Sequence, residues 1–359
     1  MAIPPKHASG QMSSGRSRSV GANPRESVSI SAVAARAGVS IATVSRVVNG
    51  VSNKASESTV ARVRAAIAAL GYRPTGAGRA LRSGQSRLVA VLAANMANPI
   101  MPAIAAAAEV ALRGAGLVMV LCDTHERPEL QDEYLLEMRA QYARGLVLLG
   151  AVDSPVLRDF AQAGETLVFV NRRSPVAGMS ERYVGIDNLV AGSEVAQWML
   201  RQKFATFGLI HARLSSSATA ERVQGFQDTL KQSGVVLPAS RIQTLVGTEH
   251  LQIGYQAMAR LLKLKVPPQA VFCTSDLIAY GAHRRAAEAG LVIGRDMVLV
   301  GFDDGPMNPW VAPWLHAVRV PYGQYGSAIV QALEGDASQS IILPHELVIR
   351  AFPQGNGLT

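Results

Sequence analysis

The sequence predicts an α/β protein, built as a small N-terminal three-helix headpiece followed by a large core with parallel sheets in two subdomains. Three observations carry that expectation. From Arg87 onward, apolar strand-like runs alternate with amphipathic helical stretches, the pattern of strands joined by helical crossovers, over a length sufficient for two sheets. The first 87 residues hold thirteen Lys or Arg against two acids, Glu26 and Glu57, in a chain of net charge +9, so the remainder is slightly acidic. Hydrophobic residues make up 48% and charged ones 17% of the 359, which supports a sizeable buried core. A basic head before a nearly neutral body suits a chain that holds a polyanion at one end and does something else at the other.

Taken in order, residues 1–26 read as a disordered basic tail, since Pro4-Pro5 and repeated Ser and Gly offer nothing to bury; Met12 is an alternative start. Residues 27–73 read as the headpiece. Ser29 or Ser31 can cap a first helix running through Arg36, with Gly38 supplying the turn. Ser40 can cap a second from Ile41 to Val48, and Ser56 or Ser58 a third running to about Leu70. Residues 74–86, with Gly76, Gly78 and Gly84, read as a linker. Strands are expected at Leu88 to Ala93, Val118 to Cys122, Gly145 to Leu149, Thr166 to Val170, Arg182 to Ile186, Phe207 to His211, Ala270 to Cys273 and Met297 to Gly301. The two cysteines, Cys122 and Cys273, sit far apart in such runs and read as reduced thiols.

The run from Ile30 to Gly50 reads as a helix-turn-helix whose second helix opens on small and polar residues, as entry into a DNA major groove requires. Ser40, Thr43 and Ser45 can donate to phosphates, and Arg46 is the candidate for a bidentate contact to guanine. Asn49, closing the same helix, is counted with them.

The words VAARAGVS, ATVSRVVNG, LGYRP and ALRSGQS resemble, in order and spacing, the N-terminal signature of the LacI/GalR regulators. The resemblance implies that Ile41, Ala42 and Arg46 read bases; Ile41 and Ala42 offer only apolar contacts, such as with a thymine methyl. It also implies that the linker becomes a hinge helix on DNA, with Leu81 wedging into the minor groove. Gly76, Gly78 and Val60, the last at a place where the family often has a phosphate-contacting Arg, depart from the pattern.

The resemblance continues more loosely over the body and implies a core like that of periplasmic sugar-binding proteins: two α/β subdomains joined by three crossings, with ligand in the cleft. On this reading 87–359 is a ligand-binding and dimerisation core, one subdomain spanning about 87–186 and 318–333, the other about 187–317 and 334–359. Asn98, Asn171, Arg172, Asp187, Arg222, Ser275, Asp276 and Asp303 match pocket motifs, each at or just beyond a strand's C-terminal end or on the helix that follows. Arg222 and Asp303 are expected to touch ligand, while Asp187 and Asp276 suit helix capping as well as binding. Lys203-Phe204 and Trp198 replace family residues as changes of surface and packing. The Arg172-Arg173 pair brings an acidic ligand, such as a sugar acid, into view.

The expected partners are therefore operator DNA, a sugar or sugar acid as effector, and a second copy of the chain, a homodimer, because no leucine heptad tail follows Phe352-Pro353. A regulator co-repressed by a purine or a protein partner is the alternative, and a sugar-binding protein without a DNA role is another. The chain has no dinucleotide or phosphate-loop fingerprint and no metal-ligand spacing, so neither an enzyme nor a cofactor is expected. The lack of a signal-like or bilayer-length apolar run favours a cytoplasmic site and no membrane.

Overall fold

The computed structural model describes residues 28–50, 55–72, 86–179, 181–247 and 249–350. The chain divides into a head, within residues 1–79, and a body, within 80–359. The 1–26 tail and Leu81, with all but Ser86 of the expected linker, lie outside the described residues.

Each head helix starts on a serine. Ser29 caps α1 (Ile30–Ala37), Ser40 caps α2 (Ile41–Val48) and Ser56 caps α3 (Glu57–Leu70), each hydroxyl accepting from a backbone N–H three residues on. Gly38 closes α1 with φ 62, a left-handed conformation that its missing Cβ allows, and α2 leaves at 105° to α1. Val33, Ala34, Ala37, Val44, Val63 and Ala66 form one small core.

The body holds two six-stranded sheets. The first contains β1 (Leu88–Ala93), β2 (Val118–Asp123), β3 (Gly145–Leu149), β4 (Leu167–Val170) and β5 (Arg182–Ile186), with helices α4 (Ile100–Gly114), α5 (Pro128–Ala140) and α6 (Pro155–Ala163) as crossovers. After α7 (Asn188–Arg201) the chain builds the second sheet from β6 (Phe207–Ile210), β7 (Ile242–Gln243), β8 (Ala270–Cys273), β9 (Val298–Asp303) and β10 (His316–Arg319). Its helices are α8 (Ser217–Gln232), α9 (His250–Leu261), α10 (Asp276–Glu288) and the short α11 (Asn308–Val311). The chain then returns through α12 (Tyr322–Glu334) and β11 (Ser340–Leu343) to the first sheet and ends, among described elements, in β12 (Glu346–Val348) of the second.

The strand orders are β11-β5-β4-β3-β1-β2 and β12-β10-β9-β8-β6-β7, parallel throughout except β12 against β10. Both orders reverse direction next to their first strand, which opens a crevice at the C-terminal strand ends. The fully buried runs Val89–Leu92 and Leu146–Leu149 read as uninterrupted apolar stretches because helices cover both sheet faces.

Two expected subdomain boundaries move. Residues 318 and 319 belong to β10 of the second sheet, so the second crossing falls at 320–321. Residues 340–343, expected in the second subdomain, pair with β5 of the first through Ser340 opposite Tyr183 and Leu343 opposite Ile186, so the third crossing falls at 344–345. β7 and β12 carry too few residues to show a period, and β10 and β11, as long as β4, β6 and β8, lack their unbroken apolar run because they hold His316, Arg319 and Ser340.

Cys273 is buried, Cys122 half-buried, and both are free thiols. Trp198 and Phe204 pack on each other, Trp198 also meeting His316 edge-on at 4.9 Å, so the departures from the family at these positions form core contacts. No single described helix is long and apolar enough to cross a membrane.

Candidate DNA-reading face and ligand cleft

In the head, α2 buries Val44 and exposes Ile41, Ala42, Arg46 and Asn49. Ala42, Arg46 and Asn49 recur at i, i+4 and i+7, one stripe along the helix. The hydroxyl of Ser40 is engaged with Thr43 N at 3.2 Å and Thr43 Oγ1 at 3.0 Å, and Asn49 Nδ2 donates to Ser45 Oγ at 3.3 Å.

In the body, the sequence-based pocket residues lie at the C-terminal strand ends, most of them in two adjoining groups, while Asn171 and Asp187 line neither of the two cavities there. The deeper one centres on Arg222, which α8 sends into the interior. Its Nε donates to Asn188 Oδ1 at 2.8 Å and its Nη1 to the Thr274 carbonyl at 2.9 Å, while Asp303 Oδ1 lies 3.8 Å away. The guanidinium carbon sits 3.5 Å from the Phe302 ring centre, so the plane is fixed by stacking as well as by hydrogen bonds. Asp303 ends β9 at φ 106, a strained conformation for a residue with a Cβ, held by Tyr322 Oη and Val320 N–H donating to its carbonyl. Burial raises its carboxyl to about 7 against the pull of Arg222.

Asp276 and Asp187 have structural partners. Asp276 Oδ2 accepts from Gly305 N–H at 2.8 Å and Asn308 Nδ2 at 2.9 Å, and burial with the nearby Asp303 raises its carboxyl as well. Asp187 caps α7, its Oδ1 accepting from Val190 N–H at 2.9 Å. Ser275 caps α10 and lies 2.9 Å from His250 Nδ1, which links this group to the outer one.

The outer group lines a cavity of about 330 Å³ that includes Glu126, Arg172, Arg213 and His250. A smaller neighbour of about 120 Å³ shares Glu126, Arg172 and His250 and adds Asn98. Asn98 Oδ1 also accepts from Ile100 N–H at the start of α4. Asn171, buried at φ 66, turns the chain after β4. Gly150, at φ 88, leaves space beside Arg172, whose Nε would lie 3.4 Å from a Cβ there. Arg172 Nη2 reaches Glu126 Oε1 at 2.7 Å, and Arg213 from the second subdomain stands 3.9 Å from Glu126 Oε2. Burial lowers His250 to about 4, so it is neutral near pH 7. Arg173 points elsewhere, over the Tyr183 ring at 4.3 Å and to Glu181 at 3.0 Å.

Glu126, Arg213 and His250 are the site residues that sequence reasoning missed. Glu126 and Arg213 each follow a strand end by three residues, a signal that was present; His250 opens a helix and gives none.

Planar guanidinium and carboxyl groups facing a cleft can each pair with two neighbouring hydroxyls or with an anion. Among the described residues no group of three or more His, Cys, Asp or Glu is placed to hold a metal.

Comparison with known proteins gives two family matches. Residues 29–75 match the model for bacterial regulatory proteins of the lacI family. Residues 85–306 match that for periplasmic binding proteins and the sugar binding domain of the LacI family. The HTH-type transcriptional regulator PtxS of Pseudomonas putida is 30% identical over 342 residues, 93% of this chain and 98% of its own. A solved complex of the transcriptional regulator CelR with cellobiose is 27% identical at a TM-score of 0.65, over 90% of this chain and 99% of that one. The lac repressor dimer bound to operator and the anti-inducer ONPF shares the fold at 24% identity and a TM-score of 0.74, over 90% and 98%.

Proposed function

The chain belongs to the LacI family of bacterial regulatory proteins, a DNA-binding transcriptional regulator, and on that premise we propose a dimeric repressor whose hold on its operator is set by a sugar acid. The observation that carries the effector class is the pair of guanidinium groups, Arg172 and Arg213, that face one cavity, with Arg222 and Asp303 in the adjoining deeper group. A sugar acid matches both, its carboxylate to guanidinium and its hydroxyls to Asp303 and Asn98. The cleft works by binding alone.

Operator recognition rests on the α2 stripe, with Arg46 donating to a guanine edge, Ile41 and Ala42 making apolar contact, and Ser40, Thr43, Ser45 and Asn49 near the phosphates. Leu81 is the minor-groove wedge in this reading. Arg172 stands on the first subdomain and Arg222 on the second, so a ligand joined to both favours one angle between them. That preference shifts operator affinity by the ligand's difference in affinity for the two states.

A calorimetric panel of aldonic acids, uronic acids, their uncharged parent sugars and purines, run on the full chain, tests the effector class. At least one acid is expected to bind more tightly than its parent sugar, and Arg222→Lys, which keeps charge but loses the planar fork, to weaken it roughly tenfold or more. Binding by a neutral sugar or a purine alone would overturn this reading.

A further inference from the structure

We infer that Glu126 is a resident stand-in for the ligand's carboxylate, paired with the guanidinium that the ligand's carboxylate would take and so setting which ligands are admitted. This rests on the sugar-acid reading above and names how that site selects.

The placement of Glu126 is specific. It follows β2 on a left-handed turn, with φ 51 at His125 and 56 at Glu126, and its N–H is tied to the Ala94 carbonyl at 2.7 Å. The turn delivers the carboxylate to the cavity where Arg172 and His250 also stand. Oε1 meets Arg172 Nη2 at 2.7 Å and Oε2 faces Arg213 at 3.9 Å, so the two oxygens address a guanidinium from each subdomain. The side chains of Arg172 and Glu126 are each only 17% exposed, which makes their contact a shielded one.

A half-buried guanidinium needs an anion. Glu126 supplies it; an entering carboxylate replaces it, and the displaced side chain turns to solvent, so Arg172 keeps one counter-charge throughout. An uncharged sugar has no group to make this exchange and leaves the Glu126–Arg172 pair intact. Selectivity for acids then comes from an internal competitor, which weakens binding of the correct ligand while rejecting the neutral one.

The alternative role, a brace joining the subdomains, makes a different prediction. Removing either partner of a brace changes ligand affinity in the same direction. For a stand-in the signs are opposite, because Glu126 competes with the ligand while Arg213 attracts it.

The test is calorimetric titration of the full-length wild type, Glu126→Gln and Arg213→Ala with gluconate, galacturonate and inorganic sulfate, each variant first shown to melt cooperatively. Glu126→Gln should bind these anions roughly tenfold more tightly than wild type, and Arg213→Ala several-fold more weakly. Equal or weaker anion binding by Glu126→Gln, or both variants shifting the same way, would overturn the inference. Should no sugar acid bind the wild type while sulfate binds Glu126→Gln more tightly, the stand-in holds and the sugar-acid reading fails. Should a sugar acid bind the wild type and Glu126→Gln gain nothing, only the stand-in fails.

Discussion

Asp303 and Arg222 lie 3.8 Å apart in a nearly dry interior, and the balance between attraction and desolvation there sets how the body responds to pH. Burial wins, holding the Asp303 carboxyl near 7, well above the usual carboxylate range. The folded body therefore binds more protons than the unfolded chain between about pH 4 and 7, so this residue's contribution to stability is fully present below that window and is lost as pH rises through it. Calorimetric melting of wild type and Asp303→Asn from pH 5 to 8 should show the wild type losing roughly 5–10 °C more than the variant over that range. Parallel curves would remove Asp303 as the titrating group. Both members of this pair were legible in the sequence, since each stands in a word that the family resemblance carries. Glu126 and Arg213 carried only the weaker signal of following a strand end; what singles them out is that they meet each other and Arg172 across a fold that brings distant loops together.

The helices that position these residues cross at glycines. A Cβ on Gly225 of α8 would lie 2.0 Å from the Leu189 carbonyl oxygen of α7, and one on Gly192 of α7 would lie 2.2 Å from the Arg222 carbonyl oxygen of α8. Neither contact can be relieved by a side-chain rotation, because the obstacle is backbone. Gly225→Ala should force the two helices apart, costing about 1–3 kcal/mol of stability and moving Arg222, one turn away, out of its slot. Chemical denaturation and effector titration should both register the change. Gly323→Ala, where a Cβ meets nothing within 4 Å, is the control and should leave both within error. Preserved effector affinity in Gly225→Ala would separate the crossing from the site. At this scale the sequence was readable wherever an element was long or capped: the three head helices began on Ser29, Ser40 and Ser56, and the eight expected strands all occur. It was silent on β7 and β12, of two and three residues, and on β10 and β11, whose four residues are broken by His316, Arg319 and Ser340 where β4, β6 and β8 are apolar throughout. The third crossing moved for the same reason, since only pairing with β5 assigns β11 to the first sheet.

For the molecule as a whole, the charge asymmetry, the exposed α2 stripe and the polar cleft describe one chain that reads DNA at one end and a small molecule at the other. Linkage between these two events is the central claim. It is reciprocal, so an effector that loosens or tightens operator binding must itself be bound differently when operator is present. In vitro selection from random duplexes yields the operator directly, and Arg46→Ala, which should lose roughly 1–3 kcal/mol of discrimination at one base position, identifies the base that α2 reads. The most direct measurement is then fluorescence anisotropy of the selected duplex with the full-length protein, at fixed salt, with and without a sugar acid that the calorimetric panel finds to bind. The predicted result is enrichment of a near-palindromic sequence and a fivefold or larger shift in its affinity on adding the acid, roughly 1 kcal/mol of coupling or more. An operator affinity that stays the same at saturating acid, or a pool with no enriched sequence, would contradict it.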